Sequence, residues 1–236
     1  ITITGLVASN SVYNGGTSTT LTGTPILSNG AANATDNKYY SVDTVSLVAS
    51  SPAGVFADAN VGNGKAVTLS GYALSNSNYS LVTTGLTANI TPKALTVSGT
   101  TVADKTYDGT NTATIGSGSL VGLVGSDIGN VTLTQAATYS SVNVGAAISM
   151  TMNDTISGVT NLATNYSLTQ PTVTGAINKA TANVSATKTY DGTTGLTSSQ
   201  VTITGVTVSS NTEVLTYTGT ATLSDANVTT SNKYVV

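Results

Sequence analysis

KALTVSGTTVADKTYDGT, residues 93–110, sets two patterns side by side. Its first part, KALTVSG, alternates apolar and polar residues with the two-residue period of a β-strand. Its last part contains Asp108-Gly109, a turn dipeptide: Gly accepts positive φ, and an Asp side chain can bond nearby backbone amides. The rest of the chain is written the same way. NVTLTQ (130–135), VTITGVTV (201–208) and EVLTYTGTATL (213–223) alternate, and clusters such as SNG, GNG, YDG and SGS punctuate them. Thr, Val, Ser, Asn and Gly all rank low in helix propensity, so helix is disfavoured throughout. The short, regular spacing of strands and turns predicts an all-β chain built as a sandwich or barrel.

Composition narrows the classes of partner. The 236 residues include 47 Thr, 28 Ser, 24 Gly and 21 Asn against seven Lys, no Arg and ten acids, so the surface is hydroxyl and amide rather than charge. Nucleic-acid binding draws its affinity from Lys and Arg on phosphates, and a net charge of -3 excludes it. Docking on anionic lipid fails for the same reason, and no apolar run approaches the ~20 residues of a membrane span. The absence of cysteine removes disulfides and zinc-thiolate sites and is compatible with an exported bacterial protein. The chain opens ITITGL, with neither Met nor a signal-peptide pattern, and reads as an excerpt of something longer.

Internal repetition organises the chain. KTYDGT stands at 105–110 and again at 188–193, and VYNGG at 12–16 occupies the same place earlier. ADANVG (57–62), SSVNVG (140–145) and SDANVT (224–229) follow in order, then NYSL at 78–81 and 165–168, then ANITPKA (88–94) and GAINKAT (175–181). From Lys93 to Lys179 the period is 86 residues, too long for a solenoid coil and right for a small sandwich domain. The expected domains are 1–92, 93–178 and 179–236. The first carries an extra segment within SNGAANATDNKYYS. The third stops at NKYVV before any NYSL, and is expected to continue or to be completed by a strand from a neighbouring molecule.

With KALTVSGTTVADKTYDGT, the central NVG and the closing NYSL and ITPKA in view, the chain resembles the YDG and MBG-type bacterial immunoglobulin-like repeats of large secreted adhesins of the filamentous-haemagglutinin kind. The resemblance covers nearly the whole chain. It implies immunoglobulin-like antiparallel sandwiches strung as beads in a fibre, on a bacterial cell surface or in a biofilm matrix. VYNGG departs from the pattern, so a role needing the carboxylate of Asp108 or Asp191 is absent from the first repeat.

The signature itself, Tyr13-Asn14-Gly15, Tyr107-Asp108-Gly109 and Tyr190-Asp191-Gly192, reads as a structural turn. Asn in place of Asp favours a turn over acid-base chemistry, so Asp108→Asn is expected to be nearly silent. The tyrosines would set a large ring with a polar tip at a sandwich end or a domain junction, in a chain with one Phe and no Trp.

Chemistry has few candidates. Without His or Cys no hydrolytic triad can form, and neither GxSxG nor a phosphate loop is present. Asp104 and Asp108 are the one close carboxylate pair, and they flank the turn. The expectation is no enzyme and no cofactor. Calcium is the challenger, through Asp104, Asp108, Asp58 with Asn60, and Asp225 with Asn227, but six to eight oxygens are needed and no dense ligand loop is present. Lysines and acids are too scarce to favour a Lys–Asn isopeptide bond. Eight Asn-x-Ser/Thr sequons begin at Asn33, Asn78, Asn89, Asn130, Asn153, Asn165, Asn183 and Asn227, close to the roughly seven that composition alone predicts. A Thr array at Thr216, Thr218, Thr220 and Thr222 is better read as a solvent face than as an ice- or polysaccharide-binding one.

The expected function is mechanical: stalk repeats that extend a binding tip or an anchor and support attachment to other cells, a surface or matrix polysaccharide. Neighbouring repeats of the same chain are the immediate partners. Two rivals stand beside it. One is a glycan- or partner-binding module, which a cluster of Tyr39, Tyr40 and Tyr72 would favour, with the array supplying avidity. The other is a self-assembling filament subunit completed by strand donation.

Overall fold

A computed structural model describes residues 1–28, 43–205, 207–208, 211–228, 233 and 235. The chain is all-β, with three short 3-10 turns, Gly125–Asp127, Val159–Asn165 and Ser198–Gln200, among the described residues. Packing divides it into two compact units. One takes in residues 1–98, 119–134 and 154–170, the other 99–118, 135–153 and 171–236. The units do not follow the sequence repeats, because the strands of repeat 2 are shared between them.

In the first unit, Thr2–Ala8 pairs antiparallel with Leu21–Ser28. The chain then crosses to a five-stranded sheet in the order Ser11–Val12, Leu86–Thr91, Gly62–Leu74, Leu47–Phe56, Ser18–Thr19. Ser11–Val12 runs parallel to the closing strand Leu86–Thr91, and the ladder is extended by the Tyr13 N–H, which donates to the Thr91 carbonyl at 2.9 Å. A three-stranded sheet sets Lys93–Ser98 between Ser119–Val121 and Tyr166–Leu168, and Val131–Thr134 pairs with Thr155–Gly158. The alternation of KALTVS is realised here, since Leu95 is fully buried while Ala94 and Thr96 are exposed. Around Leu95 pack Phe56, Val67, Ile90, Val131, Tyr13 and Tyr166, the core of the unit.

The second unit repeats one feature of the first. Lys105–Thr106 runs parallel to the closing strand Thr174–Asn178, and the Tyr107 N–H donates to the Asn178 carbonyl at 2.8 Å. Gly145–Met152 and Ala137–Tyr139 continue that sheet. Buried Tyr139 donates its hydroxyl toward the carbonyls of Ala103 and Ala176, at 3.0 and 3.2 Å. In repeat 3, Asn183–Ala186 pairs with Val201–Thr204 and Gly195–Leu196 with Ala221–Thr222.

EVLTYTGTATL departs from expectation. Of these residues only Ala221–Thr222 form a strand, and Val214 is 90% exposed. Alternation supplies the two faces of a strand but not the neighbour whose ladder holds it. Thr216, Thr218 and Thr220 therefore lie outside any regular strand, and the flat threonine array does not form.

Candidate functional site at the signature turns

The two KTYDGT turns are built alike. Gly109 and Gly192 take φ of 71° and 75°, in the left-handed region that favours glycine. Asp108 Oδ1 accepts the Thr110 backbone N–H at 2.9 Å and the Thr110 hydroxyl at 2.8 Å. Lys105 folds back over the turn, its Nζ 2.7 Å from the same oxygen and donating to the Thr110 carbonyl at 3.1 Å. Asp191 repeats this with Thr193, at 2.9 Å to both donors, and with Lys188 at 2.9 Å. All the polar residues of the two hexamers except Thr106, Thr189 and Tyr190 thus have a task in the turn or, as shown below, beside it. The ammonium held against the carboxylate, aided by the Thr donors, brings Asp108 and Asp191 down to about 2. Repeat 1 keeps only the reduced form, in which Asn14 Oδ1 accepts the Gly16 N–H at 2.8 Å, Gly15 takes φ of 78°, and Ser11 stands where the lysine would be.

The NVG markers are turns of the same kind. Asp58 Oδ1 accepts the Asn60 N–H at 2.8 Å and pairs with Lys65 at 2.7 Å. Asp225 accepts the Asn227 N–H at 2.8 Å and pairs with Lys233 at 3.1 Å. In repeat 2 Ser141 takes the position of the Asp, its hydroxyl accepting the Asn143 N–H at 3.0 Å, and Ile148 stands where the lysine would be. At both turns, lysine accompanies the carboxylate and disappears with it. Four of the seven lysines are used this way, so the signature carboxylate is ion-paired as well as turn-forming. It also bears on calcium. Asp58, Asp108 and Asp225 each hold an ammonium, Asp104 accepts the Ala176 N–H at 3.0 Å, and no three acids cluster among the described residues.

The signature tyrosines are not alike, and the difference lies in what the next repeat offers them. Tyr13, 4% exposed, donates its hydroxyl to Asp127 Oδ2 of repeat 2 at 2.8 Å. Tyr166, the tyrosine of the second NYSL, donates to the same oxygen at 2.5 Å, and Ser126 donates to Oδ1 at 3.0 Å. The two rings meet edge to face with centroids 5.3 Å apart. Tyr166 Oη in turn accepts the Val124 N–H at 3.0 Å, and the 3-10 turn Gly125–Asp127 presents the acid. Next to them Asn165, 1% exposed, accepts the Val61 N–H at 2.8 Å and donates to Asn60 Oδ1 at 3.1 Å. Tyr107 repeats the contact at lower burial, donating to Glu213 Oε1 of repeat 3 at 2.6 Å. Tyr190 is 64% exposed.

Electrostatics keeps these groups in fixed roles. Burial pushes Asp127 up, but the hydroxyls of Tyr166, Tyr13 and Ser126 outweigh it, and the net shift is downward. Burial, then the bond to Asp127, pushes Tyr166 to about 12 and raises Tyr13 as well. Tyr107 is raised first by its bond to Glu213 and then by burial. At neutral pH the phenols are donors and the carboxylate an acceptor. Asp127 takes three hydroxyl hydrogens, so the arrangement binds the chain to itself.

Asp127, Glu213, Tyr166 and the turn lysines are the residues that sequence reading missed as site members. A signal for the acids was present. Asp43 and Asp127 precede the Asn of their ANVG and VNVG by 17 and 16 residues, and Glu213 precedes Asn227 by 14. In repeat 1 Asp43 Oδ2 accepts the hydroxyl of Tyr79, the tyrosine of the first NYSL. Tyr39 and Tyr40, the sequon at Asn33 and most of the extra segment lie outside the described residues, and Tyr72 is half-buried.

A search of the curated proteins and one of the solved structures returned no match. The profile of the YDG domain matches twice, over residues 1–87 and 91–175. Those spans contain two of the three signature tyrosines, both NYSL segments and the Tyr13–Asp127–Tyr166 cluster, and they cover well over half of the chain. The chain belongs to the YDG domain family.

Proposed function

We propose that the chain is a run of spacer repeats from a bacterial extracellular adhesin, located at the cell surface or in the biofilm matrix. Its repeats, 1–92, 93–178 and 179–236, are immunoglobulin-like sandwiches that hold a binding tip or an anchor at a distance and so support attachment. The observation that carries this reading is the signature tyrosine bonded to an acid of the following repeat, once at Tyr13–Asp127 and again at Tyr107–Glu213. A stalk needs each repeat fixed to the next, and a phenol of one repeat on a carboxylate of the next, within one compact unit, supplies that tie without a long linker. The opening of repeat 1 supports the sandwich. Its first strand pairs antiparallel in one sheet, and the chain then crosses to run parallel to the closing strand of another. The hydroxyl- and amide-rich surface and the lack of cysteine suit an exported fibre.

The test is an exchange in the producing organism. Replacing the YDG repeats by an unrelated sandwich array of equal length should preserve attachment, and deleting them without replacement should reduce it. Loss of attachment after the equal-length exchange would make the repeats a binding module instead.

A further inference from the structure

The same short ladder closes repeat 1 and repeat 2. In repeat 1, Ser11–Val12 runs parallel to Leu86–Thr91, with Ser11 opposite Ile90 and Val12 opposite Thr91. At one end of this ladder Asn10 Oδ1 accepts the Asn89 N–H at 2.8 Å, and at the other the Tyr13 N–H donates to the Thr91 carbonyl at 2.9 Å. In repeat 2, Lys105–Thr106 runs parallel to Thr174–Asn178, with Lys105 opposite Ile177 and Thr106 opposite Asn178. Asp104 Oδ1 accepts the Ala176 N–H at 3.0 Å, and the Tyr107 N–H donates to the Asn178 carbonyl at 2.8 Å. Rung for rung the two ladders agree, with Asn10 and Asp104 in the same place, three residues before the signature tyrosine. Each ladder lies inside one compact unit.

We propose that these ladders are force-bearing clamps, which keep repeats 1 and 2 folded when the chain is stretched. Strand direction is the reason. Tension enters the first strand of each ladder at its start and leaves the second at its end. In a parallel pair these are opposite ends of the ladder, so the strands are drawn lengthwise past each other and all the rungs are loaded together. In an antiparallel pair they would be the same end, and the rungs would open one after another. Residues 13–85 lie behind the first clamp and residues 107–173 behind the second, and neither stretch extends until its clamp gives way. The strands ahead of the clamps, Thr2–Ala8 and Lys93–Ser98, free only a few residues when they detach. Asn10 and Asp104 each add a side-chain rung where the first strand is pulled, to a ladder with only two paired residues. The clamps rest on the stalk reading for their use in the organism, since a stalk between an anchor and a bound surface carries tension.

The experiment is single-molecule force spectroscopy of the 236-residue chain held by its two ends. At about 3.3–3.6 Å per extended residue, the wild type should give abrupt releases of roughly 24–26 nm for residues 13–85 and roughly 22–24 nm for residues 107–173. Asn10→Ala should lower the force of the first release and Asp104→Ala that of the second, each by about a quarter, the share of one rung among about four loaded together. Both residues are exposed, so both variants should fold, and their Tm is measured alongside. Leu69→Ala is the control. Leu69 is 5% exposed and belongs to Gly62–Leu74, outside both clamps, so its loss should lower Tm more than Asn10→Ala does and the force of the first release less. A release force unchanged in either clamp variant, or forces that fall in step with Tm across all three variants, would overturn the proposal. The stalk reading fails separately, through loss of attachment after the equal-length exchange.

Discussion

Replacing each signature tyrosine by phenylalanine separates the joint from the turn, because Phe keeps the ring and leaves every turn hydrogen bond in place. At Tyr13 the substitution removes one of the three hydroxyls on a carboxylate that is 5% exposed, while the edge-to-face packing on Tyr166 stays. A hydrogen bond to a charged group is worth about 1.5–3 kcal/mol, and water cannot replace it in that site. In a chain of this size about 1 kcal/mol corresponds to roughly 2–4 °C, so Tyr13→Phe should lower Tm by roughly 3–12 °C. At Tyr107 both partners are half-buried and solvent can substitute, so Tyr107→Phe should cost clearly less than Tyr13→Phe. Tyr190→Phe should stay within about 0.5 kcal/mol, as surface changes do. Thermal scans by circular dichroism and calorimetry of the three variants at pH 7 read the series. Equal losses at all three positions would refute the reasoning, because the tyrosine would then act within its own repeat and not on the acid of the next.

Other perturbations address the turns. Asp108→Asn should destabilise by about 0.5–1 kcal/mol, a figure reduced for solvent screening because the Asp side chain is 48% exposed. Lys105→Met should cost less in the Asp108→Asn background, where only its bonds to Thr110 and Thr112 are then lost, than in the wild type. Asp108 lies below its unfolded value, so its contribution is complete above about pH 4 and is lost as pH falls toward about 2; an acid titration of Tm should show that limb diminished in Asp108→Asn. Asp127, also depressed, loses its contribution on the same side, and Asp127→Asn should flatten the acid limb further. Gly109→Val should cost about 1–3 kcal/mol, measured by urea denaturation, because a β-branched residue is forced to φ of 71°. Melting temperatures in millimolar calcium and in chelator should coincide, since the turn carboxylates are already held by lysines; a rise with calcium would mean that the ion displaces an ammonium.

What was legible in the sequence was local. The period of KALTVSG announced a strand that buries Leu95, and Asp-Gly announced a positive φ at Gly109 and Gly192. The repeat markers led to the turns and to NYSL, whose tyrosine Tyr166 proved to be a member of the cluster. EVLTYTGTATL misled because alternation carries no information about a neighbouring strand. Lys105 was passed over because its ion pair closes only after the turn folds back, although the joint loss of lysine and acid in VYNGG was there to be read. Asp127 lies 114 residues from Tyr13, and no local propensity reaches that far. Its recurrence at a near-constant distance before NVG was the one sequence trace of it.

The central claim is that a repeat is fixed to the next through its signature tyrosine, and a double-mutant cycle on Tyr13 and Asp127 tests it most directly. Tyr13→Phe, Asp127→Asn and the double variant are unfolded by urea in the full chain, and the interaction energy is taken from the difference. The account predicts a coupling of about 1–2 kcal/mol between residues 114 positions apart, with the double variant little worse than the more damaging single one. Additive losses, within about 0.3–0.5 kcal/mol, would show that the phenol and the carboxylate act independently and would contradict it.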